Sequence, residues 1–351
     1  MSIRDVDSHK LMYHPNRVSE WLNEGKCAPL HVEIGLTNAC NHKCKFCTLD
    51  WITHGKDFID KDIMIEAIDD MYVLGVKSIY FAGEGEPLLH KDAPIFIKLA
   101  SKKGLKVSLS TNGDKLTKDL SKNILPYLSW IRFSLDAVEQ DTHTQLHGIS
   151  GRLERILKNI KDAVELKKEL NLDIDIGVQF ILMPENINEI INGAKLMKKI
   201  GVDNFQVKPC HDHPESSHSP VIFKYSHDYL EKKLMSLETN KFQVIVRTKS
   251  MERLQQPRNY KECFGFQFYS LIDAKGNVVP CNVFYKRPEY IFGNLYDLSF
   301  KTIWNSDYRQ EVIKKISETN HKMCGEYRCR FDVINRYLHR IKYPERNDEF
   351  I

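Results

Sequence analysis

The 351-residue sequence contains no apolar run long enough to cross a bilayer, and its opening Met1-Ser2-Ile3-Arg4-Asp5-Val6-Asp7 lacks the hydrophobic stretch of a secretion signal. A membrane protein is therefore not expected, and a cytoplasmic location is. A dominant charge is missing too. The 51 Lys and Arg against 47 Asp and Glu leave a formal net of +4, which makes no electrostatic case for a nucleic-acid partner. No internal repeat or low-complexity tract occurs, which excludes solenoids and disordered linkers. What remains is an ordinary globular composition, 42% hydrophobic and 28% charged, long enough for one large domain and a small one.

Nine cysteines are present. Without a secretory context they read as metal ligands or reactive thiols, because a reducing cytosol disfavours disulfides. Three cluster at Cys40, Cys44 and Cys47, and four more at Cys263, Cys281, Cys324 and Cys329, while Cys27 and Cys210 stand alone.

Between residues 31 and 208, short β-rich runs (31–36, 78–82, 106–111, 130–135, 173–182 and 204–208) alternate with segments whose apolar residues recur at helical spacing, such as Met64, Ala67, Ile68 and Met71. Gly75, Gly104 and Gly201 sit where helices should end. Six βα units imply an α/β fold with a parallel sheet covered by helices, either barrel-like or doubly wound, with ligand chemistry at the carboxyl ends of the strands. After Lys208 comes a polar loop, 210–220, with His211, His213 and His218, and then a helix over 226–237. The cysteine-bearing region that follows contains a β-hairpin over 271–279 turning at Lys275-Gly276-Asn277. The expected organisation is an N-terminal extension (1–30), a core domain (31–225), a linking helix and strand (226–259), a small cysteine-bearing domain (260–335) and a tail (336–351).

Cys40-Asn41-His42-Lys43-Cys44-Lys45-Phe46-Cys47 places three thiols on one loop directly after the first strand. Thiolates favour zinc or iron–sulfur centres. Three of them on a four-iron cluster leave one iron open to a substrate or cosubstrate, whereas a structural zinc site closes with four ligands, His42 being the available fourth. The C-x3-C-x2-C loop resembles the signature of the radical S-adenosylmethionine (radical SAM) superfamily, with Phe46 at the aromatic position beside the adenine. The resemblance implies a partial (β/α)6 TIM-like barrel and a [4Fe–4S] cluster whose open iron chelates S-adenosylmethionine. It also implies reductive cleavage of that cosubstrate to a 5′-deoxyadenosyl radical. Gly83-Glu84-Gly85-Glu86-Pro87 is similar to the family's GGEP motif, with Glu84 in place of a glycine; Gly85 and Glu86 then hold the methionine amino group. Ser110 and Asn112 after the third strand, and Ser134 and Asp136 after the fourth, resemble the ribose and carboxylate contacts. Gln179 and Arg152 are further candidates.

Four thiols around a hairpin can close either a zinc site or a second cluster. The C-x12-G-x4-C hairpin resembles the SPASM domain, or its shorter twitch form, which implies a small C-terminal α+β domain with one auxiliary [4Fe–4S] cluster on Cys263, Cys281, Cys324 and Cys329. Such an enzyme abstracts a hydrogen atom from its substrate, and oxidation or epimerisation follows. Cys210, at the end of the sixth strand, is the candidate hydrogen-atom donor for epimerisation; its alternative is a small buried hydrophobe. The polar loop at 210–220 suits a small polar substrate such as a carbohydrate or sugar nucleotide. A peptide substrate, as for a maturase or peptide epimerase, is the alternative reading. A flavodoxin or ferredoxin would supply electrons. The competing reading of another class is a non-catalytic, zinc-stabilised binding protein.

Overall fold

The structure is a computed structural model that describes residues 9–210, 213–217, 227–248, 257–258, 260–319, 324 and 329–350. Helix α1 (Pro15–Glu24) precedes the sheet. The six expected runs form β1 (His31–Ile34), β2 (Ser78–Phe81), β3 (Lys106–Thr111), β4 (Trp130–Ser134), β5 (Asp175–Leu182) and β6 (Asn204–Pro209). They pair in parallel and in chain order. The connections carry α2 (Lys61–Val73), α3 (Ala93–Lys102), α4 (Lys118–Ile124), α5 (Gln140–His147), α6 (Leu153–Glu169) and α7 (Ile190–Ile200). Helix α2 shows why they form: Asp60 caps its start by accepting from the Asp62 and Ile63 N–H groups, and Met64, Ala67, Ile68 and Met71 bury one stripe on the sheet. The result is a partial (β/α)6 TIM-like barrel. No helix among the described residues is long and apolar enough to cross a membrane.

Each strand presents two unlike faces. Val32, Ile34, Ile79, Phe81, Val107, Leu109, Ile131, Phe133, Val178, Phe180, Phe205 and Val207 are buried under the helices. The alternate residues, Glu33, Tyr80, Ser110, Arg132, Ser134, Gln179, Gln206 and Lys208, form the inner face. Parallel strands packed on both sides read as continuous apolar runs, so polar alternation here marks an interior that serves a polar ligand.

The sheet extends beyond those six strands. After α8 (His227–Met235), β7 (Gln243–Val246) joins β6 as a further parallel strand. At the opposite edge β8 (Tyr269–Ile272) lies parallel to β1, followed by β9 (Asn277–Val279) and β10 (Gly293–Asn294) in antiparallel pairing. The cysteine-bearing hairpin thus continues the core sheet by backbone hydrogen bonds. Helices α9 (Phe300–Asn305), α10 (Asp307–Glu318) and α11 (Asp332–Lys342) follow, and α11 runs across the expected boundary at residue 336. The segment expected as an extension is also built in: Val18, Trp21, Cys27 and Leu30 pack with Phe264, Phe268 and Leu338 in a second small core. Cys27 is buried there, its thiol pushed up to about 12 by desolvation.

Two polar bridges tie the hairpin region to the barrel. Arg330 Nη1 donates to Glu33 Oε2 and meets the Tyr269 hydroxyl, both at 2.5 Å, while the Tyr269 O–H donates to the same carboxylate at 2.9 Å. Glu84 reaches across from the β2 turn to accept the Ala274 N–H at 2.8 Å. Burial, and next the Asp273 carboxylate, raise the Glu84 carboxyl to about 8. Because that value lies above the ordinary glutamate value, the protonated form favours the fold. Its contribution is full below about pH 4 and is lost as pH rises through about 8. Glu84→Gln keeps an acceptor for Ala274 and removes the buried charge. It should raise the melting temperature by about 2 °C or more at pH 8.5 and by less at pH 5, measured by differential scanning fluorimetry; a uniform loss at both pH values would refute this account.

Candidate active site

The loop after β1 carries Cys40, Cys44 and Cys47 with little regular structure of its own, so neighbouring elements set its course. Gly85 lies flat against it: a Cβ at that position would start 2.2 Å from the Ala39 carbonyl oxygen and 2.7 Å from that of Thr37. The Glu86 N–H donates to Ala39 O at 2.9 Å. On the other side, the Lys43 and Lys45 N–H groups donate to the carbonyls of His147 and Leu146 at the end of α5. Asn41 accepts from Asn112 Nδ2 at 2.9 Å and donates to Asp114 at 2.6 Å.

Glu86 is the hub of this arrangement. Its Oε1 accepts from the Thr111 hydroxyl (2.7 Å) and the Leu88 N–H (3.1 Å), and its Oε2 accepts from the Asn112 N–H (2.8 Å). Burial raises the carboxyl to about 7 despite these donors. The structure therefore occupies Glu86 with fastening the β2 and β3 ends together, where the sequence suggested an acceptor for an ammonium group. Asp136 shows a comparable shift in role. It has no exposed surface; its Oδ1 accepts the Ile181 N–H at 2.5 Å and its Oδ2 lies 3.3 Å from His147 Nε2. Its φ of 58° turns the chain at the end of β4. Ser110, Ser134 and Gln179 stand on the inner face, with Ser110 accepting from the Tyr80 hydroxyl at 2.6 Å. Arg152, just before α6, has a buried Nε without a partner and bears electrostatically on His42.

The histidines beside the cysteine loop were not singled out by the sequence reading, although His143 and His147, four apart, must share one face of α5. His147 Nδ1 lies 3.4 Å from Cys44 Sγ and 3.1 Å from His42 Nδ1, and the His143 ring stacks on His147 at 4.3 Å. Burial lowers His42 and His143 to about 3, so both are neutral imidazoles. Phe46 packs edge-on to His147 at 5.5 Å and shares a small apolar cluster with Leu146, Ile181, Met183 and Cys210, against which Cys44 rests. Cys210 is thus brought to the cysteine loop. Of the loop that follows it, His211 and His218 lie outside the described residues. His213 is buried at 3.1 Å from the Asn282 carbonyl, and Ser217 bonds Asp50 in the segment beyond Cys47.

The thiols can be tested against the centres they would hold. Around one zinc ion, with Zn–S near 2.3 Å, sulfurs lie about 3.8 Å apart. Among the described residues the one His/Cys/Asp/Glu trio within 4.8 Å is His42, Cys44 and His147. Neither Cys40, Cys44 and Cys47 nor any three of Cys263, Cys281, Cys324 and Cys329 close so tightly. They are neighbours nonetheless, since Cys40 and Cys47 add to the rise of Cys44, and Cys263, Cys281 and Cys324 to that of Cys329, in each case after burial. Thiols that are close but too spread for one ion fit the corners of a larger iron–sulfur cube. The second group also has donors for thiolates: Asn335 Nδ2 points at Cys263 Sγ (3.4 Å) and the Phe331 N–H at Cys329 Sγ (3.3 Å).

Comparison with known proteins agrees with this geometry. A radical SAM superfamily model matches residues 34–197, and an iron–sulfur cluster-binding (SPASM) model matches residues 263–330. The tungsten-containing aldehyde ferredoxin oxidoreductase cofactor-modifying protein of Pyrococcus furiosus is 25% identical over 298 residues, 79% of this chain and 81% of that protein. The S-adenosylmethionine-dependent nucleotide dehydratase of Lacinutrix mariniflava is 33% identical over 127 residues, 34% of this chain and 26% of its own. Among solved structures, Streptococcus suis SuiB bound to precursor peptide SuiA aligns with a TM-score of 0.67 at 17% identity, covering 95% of this chain and 78% of that one, a likeness of fold.

Anaerobic reconstitution should load roughly eight irons per chain, and replacing Cys40, Cys44 and Cys47 together by Ala should leave roughly four. Iron and sulfide analysis with electron paramagnetic resonance checks both counts; colourless protein holding zinc in either group would contradict them.

Proposed function

Because the chain belongs to the radical SAM superfamily and carries a SPASM iron–sulfur cluster-binding domain, we propose that it abstracts a hydrogen atom from a small polar molecule and completes an epimerisation or an oxidation. Its cofactors are a [4Fe–4S] cluster with S-adenosylmethionine and an auxiliary cluster. Once bound, the first two supply the hydrogen-atom acceptor, a 5′-deoxyadenosyl group released by one-electron cleavage. Everything else falls to the chain.

Cys40, Cys44 and Cys47 would hold the cluster, and Phe46 and the ends of β2 to β5 would border the cosubstrate. Ser110, Ser134 and Gln179, on the inner face, would bind the cosubstrate by hydrogen bonds. The observation that carries the reading is the placement of Cys210 in the same apolar cluster as Phe46, with Cys44 against it. A thiol there could return a hydrogen atom to the substrate carbon, and return to the face opposite abstraction would give the epimer. The sulfur would be left one electron and one proton short; Cys263, Cys281, Cys324 and Cys329 would hold an auxiliary centre able to supply the electron from a flavodoxin or ferredoxin, with the proton from solvent. If the substrate instead gives an electron to that centre and a proton to solvent, the product is oxidised and Cys210 is not consumed.

A carbohydrate or sugar nucleotide suits the inner face, and the name of the nucleotide dehydratase relative favours a nucleotide. The peptide alternative is favoured by the fold it shares with SuiB, which was solved with its precursor peptide. Turnover in deuterated water separates the outcomes. Epimerisation through Cys210 predicts one solvent deuterium at the product carbon, absent in Cys210→Ala, with 5′-deoxyadenosine still formed; product without deuterium, unchanged in that variant, would establish oxidation.

A further inference from the structure

The inner face carries cations that the site described so far does not use. Arg132 stands on β4 and Lys208 on β6. Arg247, directly after β7, donates its backbone N–H to Val207 O at 2.9 Å, which carries the β6–β7 register one step on and sets Arg247 opposite Lys208 on the same face. Like charges facing each other across adjacent strands destabilise a sheet. No carboxylate among the described residues lies within ion-pair distance of Arg132 or Lys208.

Three cations elsewhere in the fold have acids beside them. Arg330 has Glu33 at 2.5 Å, Lys167 has Asp203 at 2.6 Å and Arg155 has Asp114 at 2.5 Å. Arg309 also lacks an acid, but the face of Trp304 lies 3.6 Å from its guanidinium and Phe292 lies 5.1 Å away. Arg132 has one ring beneath it, Trp130 at 4.8 Å, an arrangement that leaves the N–H edge of the guanidinium open for a bidentate acceptor. Lys208 touches no ring. Between these levels on β6 stands Gln206, whose Nε2 and Oε1 are both buried without a partner.

Resting on the reading that the inner face is the substrate's place, we infer that the substrate carries a phosphoryl or diphosphoryl group, held by Arg132 and Lys208 with Arg247 beside them. Two cations without an ion-pair partner among the described residues call for a dianion. A single carboxylate, including that of the cosubstrate, would leave one charge unmatched. Burial, and then Arg132 and Arg247, bring the Lys208 ammonium down to about 8 against the opposing Asp136 carboxylate, which agrees with several cations sharing this face. The pairing would place the phosphoryl group on the β4–β7 side of the barrel, across the inner face from Glu33 on β1, whose charge is already matched by Arg330.

The test uses reconstituted protein saturated with S-adenosylmethionine and titrated calorimetrically with inorganic pyrophosphate and, separately, with malonate. Pyrophosphate should bind saturably, one per chain, at least tenfold tighter than malonate. Arg132→Met and Lys208→Met should each weaken it tenfold or more, with Lys208→Arg recovering most of the loss. Ligand-free, the two Met variants should melt no lower than the wild type because repulsion is relieved, so lost binding with unchanged or higher melting separates recognition from misfolding. No saturable binding to the wild type, equal affinity for malonate, or undiminished binding in both Met variants would overturn the assignment. So would a parallel fall in S-adenosylmethionine affinity, which would give the cations to the cosubstrate. Formation of 5′-deoxyadenosine is measured on the same samples: cleavage without pyrophosphate binding sinks the phosphoryl assignment alone, and a wild type that forms none sinks the enzymatic reading beneath it.

Discussion

A loop without its own secondary structure has to hold three sulfurs in fixed relation, and the Glu86 carboxylate is the group that makes this possible. Buried and raised to about 7, it accepts from Thr111, Leu88 and Asn112, binding the turn after β2 to the end of β3. That turn can then lie on Ala39 because Gly85 has no side chain to collide with it. Asn112, fixed by its own N–H, passes the constraint on to Asn41 in the middle of the loop. The far side is closed by α5, whose last carbonyls receive Lys43 and Lys45 while His147 sits against Cys44. Desolvating a carboxylate costs several kcal/mol unless its lone pairs are filled. Three donors fill most of them, so removing any one would loosen the loop as well as the hub.

Strand β1 carries the same constraint to the second group of thiols. Its end opens into the cysteine loop, its one edge pairs with β2, and its other edge pairs with β8. The auxiliary cysteines flank that strand in sequence, and Arg330, next to Cys329, returns to Glu33 on β1. Glu33 is buried while Arg330 is partly exposed, so removing Arg330 would leave the buried carboxylate without its cation. The Glu33–Tyr269–Arg330 contact therefore fixes how the hairpin region sits on the barrel, and with it the separation over which an electron would travel. A continuous sheet is a stiffer connection than a linker between two domains.

Much of this was legible in the residue order. The β-branched and aromatic runs located all six core strands to within two residues at either end, because strand pattern and burial coincide there. The cysteine spacing indicated a thiolate centre on one loop, and the resemblance to the radical SAM signature chose iron–sulfur over zinc. What the sequence concealed were relations between distant segments. Strands β7 and β8 look like isolated short runs, and only their neighbours, β6 and β1, make them part of the sheet. Glu86 and Asp136 read as ligand-facing acids from their place at strand ends, but long-range partners, Thr111 and Asn112 for one and Ile181 and His147 for the other, turn both carboxylates inward. His143 and His147 left a readable four-residue spacing. Their meaning depended on α5 packing beside Cys44.

The distribution of unsatisfied groups carries a last step. On the helix side of the sheet the strands offer mostly hydrocarbon, with Thr111 and Ser270 the polar exceptions, and the polar groups of the enclosed interior divide into two kinds. Some are matched within the chain: Tyr80 with Ser110, Tyr269 and Arg330 with Glu33, Glu86 with its three donors. Others, Gln206, Arg132 and Lys208 on β4 and β6, have no hydrogen-bond or ion-pair partner among the described residues. A sheet selected for stability alone would fill such positions with apolar side chains or supply an acid, as it does for Arg330. A site that must admit and release a ligand keeps its complement outside the chain, and the stability forgone at these strands is the trace that requirement leaves in the fold.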